Sequence, residues 1–123
     1  MLALVVDDSK VARLVVGQAL RELGMDVVEA DNGVAALEQL ERFPDIGLML
    51  LDWNMPEMNG YDLLRQVRSQ RSFDSMRILM VTSESEATQV TRALTAGANE
   101  YLMKPFGKEV LIAKLNLMDV LQE

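Results

Sequence analysis

The chain has 123 residues, a net charge of −7, and neither cysteine nor histidine. This length suits one domain. The missing residue types exclude disulfides, thiolate or imidazole zinc sites and histidine-dependent catalysis, so any metal must be a hard cation held by oxygen. The 12 basic residues are scattered, which argues against a nucleic-acid-binding surface. Apolar runs of about six residues are far shorter than a membrane span of roughly 20, so we expect a cytoplasmic protein.

Strand-like and helix-like segments alternate along the whole chain. The pattern predicts strands and helices in turn at 2–6, 9–23, 26–30, 33–42, 46–51, 60–70, 77–82, 86–96, 99–103 and 108–121. Such alternation indicates right-handed βαβ crossovers and a parallel sheet covered by helices on both faces. No linker or repeat interrupts it, so we expect a single domain over residues 1–123.

The composition of the strands separates central strands from edge strands. The first, third and fourth are almost entirely apolar, as is typical of strands buried on both faces. The second and fifth carry polar residues and are expected at the edges. The order 2-1-3-4-5 fits this division, although composition alone leaves the order open. The expected fold class is therefore a doubly wound, five-stranded α/β sheet.

The first helix has recognisable ends and an uneven distribution of polar residues. Asp8 or Ser9 is placed to cap its start, and Gly24 lies where a left-handed residue ends a helix. Its polar residues form a thin stripe made of Lys10, Arg13, Gly17 and Arg21. We expect the remaining, apolar residues of this helix to face the sheet.

Polar residues follow four of the predicted strands at the point where each strand ends. They are Asp7-Asp8, Asp52, Thr82-Ser83 and Lys104-Pro105. The carboxyl ends of parallel strands line up along one edge of the sheet, where ligands bind. Neighbouring strands lie about 4.8 Å apart, so these side chains are expected to converge. Each motif alone also fits a helix cap or a solvated surface charge, and only their coincidence favours a site.

The expected cluster of three carboxylates and one ammonium has a definite chemistry. Carboxylates packed together resist ionisation unless positive charge offsets them. Lys104 supplies one charge, and Mg²⁺, which prefers carboxylate and phosphate oxygens, supplies two. A carboxylate is also a nucleophile towards phosphorus and forms an aspartyl phosphate. The sequence therefore indicates a Mg²⁺-dependent phosphoryl site.

Five short motifs together resemble the receiver domains of response regulators, and among these the single-domain chemotaxis type. They are Val6-Asp7-Asp8-Ser9, Leu51-Asp52-Trp53-Asn54-Met55-Pro56, Asn59-Gly60, Val81-Thr82-Ser83 and Lys104-Pro105-Phe106. The resemblance covers essentially the whole chain. It implies a flavodoxin-like (βα)5 fold and a phosphorylation-activated signalling switch. Such a domain is not an enzyme beyond its own phosphorylation and dephosphorylation.

The resemblance also implies roles for the acidic residues and their neighbours. Asp52 is the expected phosphoacceptor. Asp8 and Asp52 would bind Mg²⁺ directly, Asp7 through water, and Asn54 through its backbone carbonyl. The side chains of Asn54 and Glu84 would flank the acceptor and tune the lifetime of the phosphoryl group.

A second set of implied roles concerns the response to phosphorylation. Thr82 would bond a phosphoryl oxygen, and Lys104 would pair with the phosphoryl group. The peptide bond between Lys104 and Pro105 is expected to be cis. Tyr101 occupies the aromatic switch position, and the surface of the fourth helix, fifth strand and fifth helix would change with it.

The resemblance further implies partners. The phosphoryl donor is a phosphohistidine on a histidine kinase or phosphotransfer protein, and this chain has no histidine of its own. A downstream protein would bind the changed surface, with no direct contact to nucleic acid or membrane, and the chain would be a monomer or a phosphorylation-dependent dimer. Glu86 and Ala87 stand where chemotaxis regulators usually carry basic residues. The chain is either a stand-alone receiver or one excised from a larger regulator with a DNA-binding or enzymatic output.

Two other classes share some of these features. A flavin-binding flavodoxin-like module needs hydroxyls and glycines after the first strand, where Asp7-Asp8 would repel a phosphate. A phosphatase of the haloacid dehalogenase type also uses an aspartate nucleophile, but it requires a second aspartate where Asn54 stands. It also has a cap insertion, and this chain has none.

Overall fold

The computed structural model describes residues 1–83 and 87–121, apart from the side chain of residue 87, as a parallel sheet between two layers of helices. Its elements are β1 (Leu2–Val6), α1 (Lys10–Glu22), β2 (Asp26–Ala30), α2 (Gly33–Arg42), β3 (Ile46–Asp52), α3 (Gly60–Arg68), a 3₁₀ turn (Arg71–Phe73), β4 (Arg77–Thr82), α4 (Ala87–Thr95), β5 (Glu100–Met103) and α5 (Lys108–Leu117). The sheet order is β2-β1-β3-β4-β5, and every pairing is parallel. The predicted fold class and strand order are confirmed.

Alternate residues of the central strands build two separate cores. Leu4, Met49 and Ile78 belong to one core, which also contains buried residues of α2, α3 and α4. Their neighbours Leu48 and Leu79 belong to the other core, with residues of α1 and α5. Because side chains alternate across a strand, a run that is apolar throughout serves both faces.

The last helix ends earlier than the sequence pattern indicated. α5 stops at Leu117 rather than at residue 121, because Asp119 adopts a left-handed conformation with φ of 57°. The backbone N–H groups of Asp119 and Val120 donate to Asn116 and Leu115, which is the Schellman pattern of helix termination. Gly24 ends α1 in the same way, with φ of 91°, as predicted. At position 119 the residue is not glycine, so the sequence carried no such signal.

The expected orientation of α1 is wrong in part. Gly17, assigned to the polar stripe, is buried, whereas Val11 and Val15 are 70% and 63% exposed. Gly17 faces Val27 of β2 and has no side chain to hold the helix away from the strand. Arg13 bends inwards to bond Glu29 and the Asp7 carbonyl. Gly17 and the paired Arg13 therefore lie on the side of α1 towards β2, while Val11 and Val15 are left at the surface.

No helix within the described ranges is both long enough and apolar enough to span a membrane.

Candidate functional site

The strand ends bring three carboxylates together, as the sequence predicted. Asp7 and Asp8 directly follow β1, and Asp52 is the last residue of β3, its neighbour in the sheet. Each of the three offers a carboxylate oxygen, and these oxygens all lie within 4.8 Å of one another. The sheet thus gathers acids that are far apart in the chain.

Lys104 bridges two of these acids from the far side of the sheet edge. Its Nζ lies 2.8 Å from Oδ2 of Asp7 and 3.5 Å from Oδ1 of Asp52. Asp7 and Asp52 are both buried, while Asp8 is exposed and Lys104 is half-buried. A single ammonium therefore faces two buried carboxylates, which leaves the cluster with excess negative charge.

The charges of the site shift its protonation equilibria. Burial raises the pKa of Asp52 to about 6, and the negative charge of Asp7 adds to the rise, which Lys104 only partly opposes. Burial by itself lowers the pKa of Lys104. The hydrogen bond to Asp7 and the charge of Asp52 outweigh it, so the pKa of Lys104 is raised overall. A divalent cation would offset the remaining repulsion between the carboxylates.

The start of α1 holds Asp7 in place. Its Oδ1 accepts from the backbone N–H of Ser9 at 2.9 Å, and its carbonyl accepts from Nη1 of Arg13 at 2.6 Å. Arg13 is fixed in turn by an ion pair with Glu29 of β2 at 3.1 Å. Ser9 is also the N-cap of α1, with its hydroxyl accepting from Ala12. The sequence indicated this cap but did not reveal the role of Arg13, because Glu29 is 16 residues away.

The loop after Asp52 returns so close to the strand that it tolerates no side chain at Gly60. A Cβ there would lie 2.1 Å from the carbonyl oxygen of Asp52. The N–H of Gly60 donates to the carbonyl of Trp53 at 2.9 Å, and Asn59 caps α3 through its side chain. The Asn59-Gly60 motif therefore fixes the backbone of Asp52, the candidate phosphoacceptor.

Thr82 and Lys104 are joined through the backbone. Thr82 is buried at the end of β4, and its carbonyl accepts from the N–H of Lys104 at 2.7 Å. The peptide bond between Lys104 and Pro105 is cis, as expected. Thr82 ends β4 and Lys104 directly follows β5, so both side chains predicted to contact a phosphoryl group lie at the sheet edge that carries the acids.

The other predicted site residues are placed as follows. Asn54 is exposed in the loop that follows β3, and Tyr101 of β5 is half-buried. Nζ of Lys114 lies 4.2 Å from the centre of the Tyr101 ring and 2.9 Å from Oε1 of Glu100. Lys114 is a contact that the sequence did not reveal. The predicted tuning residue at position 84 lies outside the described residues.

An aromatic stack leads away from the phosphoacceptor candidate. Trp53, the residue after Asp52, stacks on Tyr61 of α3 with ring centres 5.4 Å apart. The guanidinium of Arg92 of α4 lies 4.4 Å from the centre of the Tyr61 ring. This chain of contacts joins the site to α4, and no motif in the sequence pointed to it.

The donor set fits a hard divalent cation. Asp7, Asp8 and Asp52 present carboxylate oxygens, the ligand type that Mg²⁺ takes from proteins. Such an ion keeps positions for water and phosphate oxygens, and the exposed position of Asp8 leaves the cluster open to both. The acidic cluster is thus compatible with Mg²⁺.

Comparison with known proteins decides the family. A family model described as the response regulator receiver domain matches residues 3–116. The chain belongs to the response regulator receiver family. The resemblance noted from the five motifs is thereby confirmed, which removes the flavin-binding and haloacid dehalogenase alternatives.

Curated relatives of this receiver are chemotaxis proteins of similar length. CheY1 of Helicobacter pylori is 45% identical over 119 residues, covering 96% of each chain. CheY-3 of Vibrio cholerae is 39% identical over 117 residues, covering 94% of this chain and 89% of that protein. The chain is therefore a CheY-type receiver, a class of signalling proteins rather than of conventional enzymes.

Solved structures agree with this fold in two contexts. The chemotaxis protein CheY4 of Vibrio cholerae superposes with a TM-score of 0.87 at 32% identity, covering 94% of this receiver and 95% of that chain. A probable two-component response regulator with a GGDEF domain gives a TM-score of 0.90 at 34% identity, but only 48% of that chain is covered. The same fold thus occurs nearly alone and as part of larger proteins.

Proposed function

We propose that this receiver is a phosphorylation-activated switch that accepts a phosphoryl group on Asp52 and thereby controls a partner protein. The observation that carries the proposal is the convergence of Asp7, Asp8 and Asp52, with their oxygens within 4.8 Å, against the ammonium of Lys104. Other aspartates of the chain lack this combination of burial, neighbouring acids and a bridging lysine among the described residues.

The proposed reaction is a transfer between two nucleophiles. A carboxylate oxygen of Asp52 attacks phosphorus, and the P–N bond of a phosphohistidine on a histidine kinase or phosphotransfer protein breaks. The electron pair of that bond leaves with the imidazole nitrogen. The product is a mixed anhydride between the Asp52 carboxyl and phosphate. The receiver catalyses only this step and the later hydrolysis of the anhydride.

The residues around Asp52 supply position and charge. Asp7, Asp8, Asp52 and the carbonyl of Asn54 would hold Mg²⁺, and the ion would neutralise charge on the phosphoryl oxygens. Lys104, already 3.5 Å from Asp52, would pair with one of those oxygens. Phosphoryl transfer needs mainly such positioning and positive charge, with little covalent assistance.

The switch would run from Thr82 to the surface of α4, β5 and α5. Phosphorylation would place roughly −1.5 to −2 charge at Asp52, in place of the single charge of the carboxylate, and this would draw the Thr82 hydroxyl towards it. Tyr101, half-buried beside Lys114, would then turn inwards. The shift requires only that phosphorylation favour one arrangement by a few kcal/mol. Exposed apolar residues on this surface support a protein partner; they are Leu94, Met103, Val110 and Leu117.

Two side chains are proposed to set the lifetime of the phosphoryl group. Those of Asn54 and Glu84 would flank the group and set its hydrolysis rate.

We propose a single receiver domain over residues 1–123, active in the cytoplasm as a monomer or a phosphorylation-dependent dimer. With a net charge of −7, it would not itself bind nucleic acid, and it would not bind a membrane. The alternative is that this receiver is part of a larger regulator, as the similar receiver in the GGDEF domain protein is.

Intact-mass spectrometry with a small phosphodonor tests the proposal. Acetyl phosphate with Mg²⁺ should add one phosphoryl group to the wild-type chain, and removal of Mg²⁺ with EDTA should prevent it. Trp53, buried next to Asp52, should change its fluorescence on the same addition. Asp52→Asn should abolish labelling, whereas Asp45→Asn, in the turn before β3, should leave labelling unchanged. Equal labelling of the Asp52→Asn variant would refute the proposal.

A further inference from the structure

A cleft between α3 and α4 differs in charge from the rest of the molecule. Its volume is about 570 Å³, within the range of roughly 300–1,000 Å³ found for small-molecule sites. None of the acidic residues in the described ranges 1–83 and 87–121 lines it, although the net charge of the chain is −7. Its wall includes three of the 12 basic residues, together with hydroxyl groups. Among the side chains that line it are Tyr61, Arg65, Arg68, Thr91, Arg92 and Thr95.

The three guanidinium groups lack ion-pair partners in the described part of the chain. Arg68 donates to the carbonyls of Gly97, Phe73 and Met76 and to the amide oxygen of Asn99, at 2.6–2.9 Å. All four acceptors are neutral, and Asp74, which is near enough to act on Arg68 electrostatically, forms no ion pair with it. Arg65 and Arg92 are exposed and form no ion pair with a described carboxylate.

The position of the outer two arginines is set by an aromatic ring. The Arg92 and Arg65 guanidinium carbons lie 4.4 and 5.8 Å from the centre of the Tyr61 ring, within cation–π distance. Tyr61 is itself stacked on the buried Trp53. The ring therefore draws guanidinium groups from two different helices towards the same cleft, and this lowers the entropic cost of binding an anion between them.

The α4 side of the cleft adds hydrogen-bonding groups. Thr91 and Thr95 lie one helical turn apart and make no side-chain hydrogen bond to any described residue. Their hydroxyls are able to donate to an anion. On the α3 side, the hydroxyl of Ser69 already donates to the carbonyl of Gln66 at 2.6 Å, so the threonines are the useful donors.

We propose that this cleft binds a small phosphorylated anion, such as a nucleotide or another phosphate ester, between Arg65 and Arg92. Guanidinium groups are suited to phosphate oxygens, which they bind through charge-assisted hydrogen bonds. The Tyr61 ring is already covered by Trp53 and Arg92, so recognition rests on charge and hydroxyl groups rather than on base stacking. This site is separate from the phosphoacceptor, and the proposal does not depend on the phosphorylation of Asp52.

A titration of the full chain by NMR, without divalent ions, tests this inference with inorganic pyrophosphate and with ATP as probes. Backbone amide shifts should move saturably at Tyr61, Arg65, Thr91 and Arg92, and the affinity should fall as salt rises. Arg65→Gln and Arg92→Gln should each weaken binding by about tenfold or more, since each removes a charge-assisted contact. Arg42→Gln, on α2, should leave the affinity unchanged. Similar affinities for pyrophosphate and ATP would support recognition through the phosphate groups. Binding of ATP alone would contradict it, because charge and hydroxyl groups would then not suffice.

Two results would overturn the inference. One is the absence of saturable shifts at millimolar probe, and the other is equal weakening by Arg42→Gln, which would mark non-specific attraction. Shifts confined to Asp7, Asp52 and Lys104 would assign the anion to the other site and also count against the cleft. Acetyl phosphate labelling of Arg65→Gln and Arg92→Gln should remain at the wild-type level, so the two proposals fail or succeed separately.

Discussion

Lys104 is closer to Asp7 than to Asp52, with Nζ–oxygen distances of 2.8 and 3.5 Å. The ammonium therefore neutralises its neighbour more fully than it does the phosphoacceptor candidate. Asp52 remains buried beside a second negative charge, and its pKa is raised to about 6. The negative charge of the candidate acceptor is thus destabilised by burial and by Asp7, and a bound cation would relieve this.

Replacing Lys104 should leave the negative charge of Asp52 even less compensated. In Lys104→Met the pKa of Asp52 should rise above about 6, because the positive charge that lowers it is lost. A ¹³C NMR titration of the side-chain carboxyl groups without Mg²⁺ measures the change. Lys108→Met, whose lysine pairs with Glu22 outside the cluster, is the matched control. A pKa of Asp52 that stays constant in Lys104→Met would contradict the electrostatic account.

The raised pKa of Asp52 also makes folding stability depend on pH. A carboxyl whose pKa rises from 3.8 to about 6 on folding binds its proton more tightly in the native state. Its contribution to the free energy of unfolding is fully present below the pKa that Asp52 has in the unfolded chain. That contribution is lost as the pH rises through the pKa of Asp52 in the folded protein. Asp52→Asn should therefore stabilise the protein without Mg²⁺ at pH 7.5, by on the order of 2–3 kcal/mol. Near pH 4 the difference should nearly vanish.

Urea denaturation of both forms at the two pH values measures this effect. A stabilisation that is equal at pH 7.5 and pH 4 would show that packing, and not charge burial, distinguishes the variants.

The main features of the site were predictable because they depend on strand ends. Asp7, Asp8 and Asp52 each lie at the end of an apolar run, and a parallel sheet aligns those ends. The division into central and edge strands followed from which runs were wholly apolar, although composition alone left the full order open. Lys104 could be predicted to reach the carboxylates because its side chain is long and flexible.

The features of the fold and site that were not predicted depend on tertiary contacts, which leave no local pattern in the sequence. Arg13 was predicted to belong to a polar stripe on α1. Its guanidinium instead donates hydrogen bonds to Glu29 and to the carbonyl of Asp7, so the side chain lies towards β2. Gly17 was assigned to the same polar stripe, although its lack of a side chain suits close packing against β2. Lys114 on α5 and Tyr101 on β5 are 13 positions apart, and only the fold brings them together.

Gly60 should be intolerant of even one added methyl group. Gly60→Ala places a Cβ where the carbonyl oxygen of Asp52 lies 2.1 Å away, so the loop has to move. We expect a loss of at least about 2 kcal/mol in the free energy of unfolding. Gly107, the N-cap of α5, has no atom within 4 Å of such a Cβ. Gly107→Ala should change stability little, because a weaker cap and a less flexible unfolded chain offset each other. Equal losses in urea denaturation would contradict the steric account.

Lys114 should contribute to stability through two contacts at once. Lys114→Met removes the ion pair with Glu100 and the cation–π contact with Tyr101, and should cost about 1 kcal/mol. Lys108→Met removes only the exposed pair with Glu22 and should leave the urea midpoint unchanged. The ¹H NMR signals of the Tyr101 ring should broaden or shift in Lys114→Met alone. Equal urea midpoints and equal Tyr101 ring signals in the two variants would show that Lys114 does not restrain Tyr101.

Locating the phosphoryl group tests the central claim most directly. After acetyl phosphate and Mg²⁺, borohydride reduction converts an aspartyl phosphate to homoserine, which tandem mass spectrometry places within the tryptic peptide 43–65. We expect homoserine at position 52 alone, and none when EDTA replaces Mg²⁺. Homoserine at Asp45 or Asp62, or labelling that does not depend on Mg²⁺, would contradict the account.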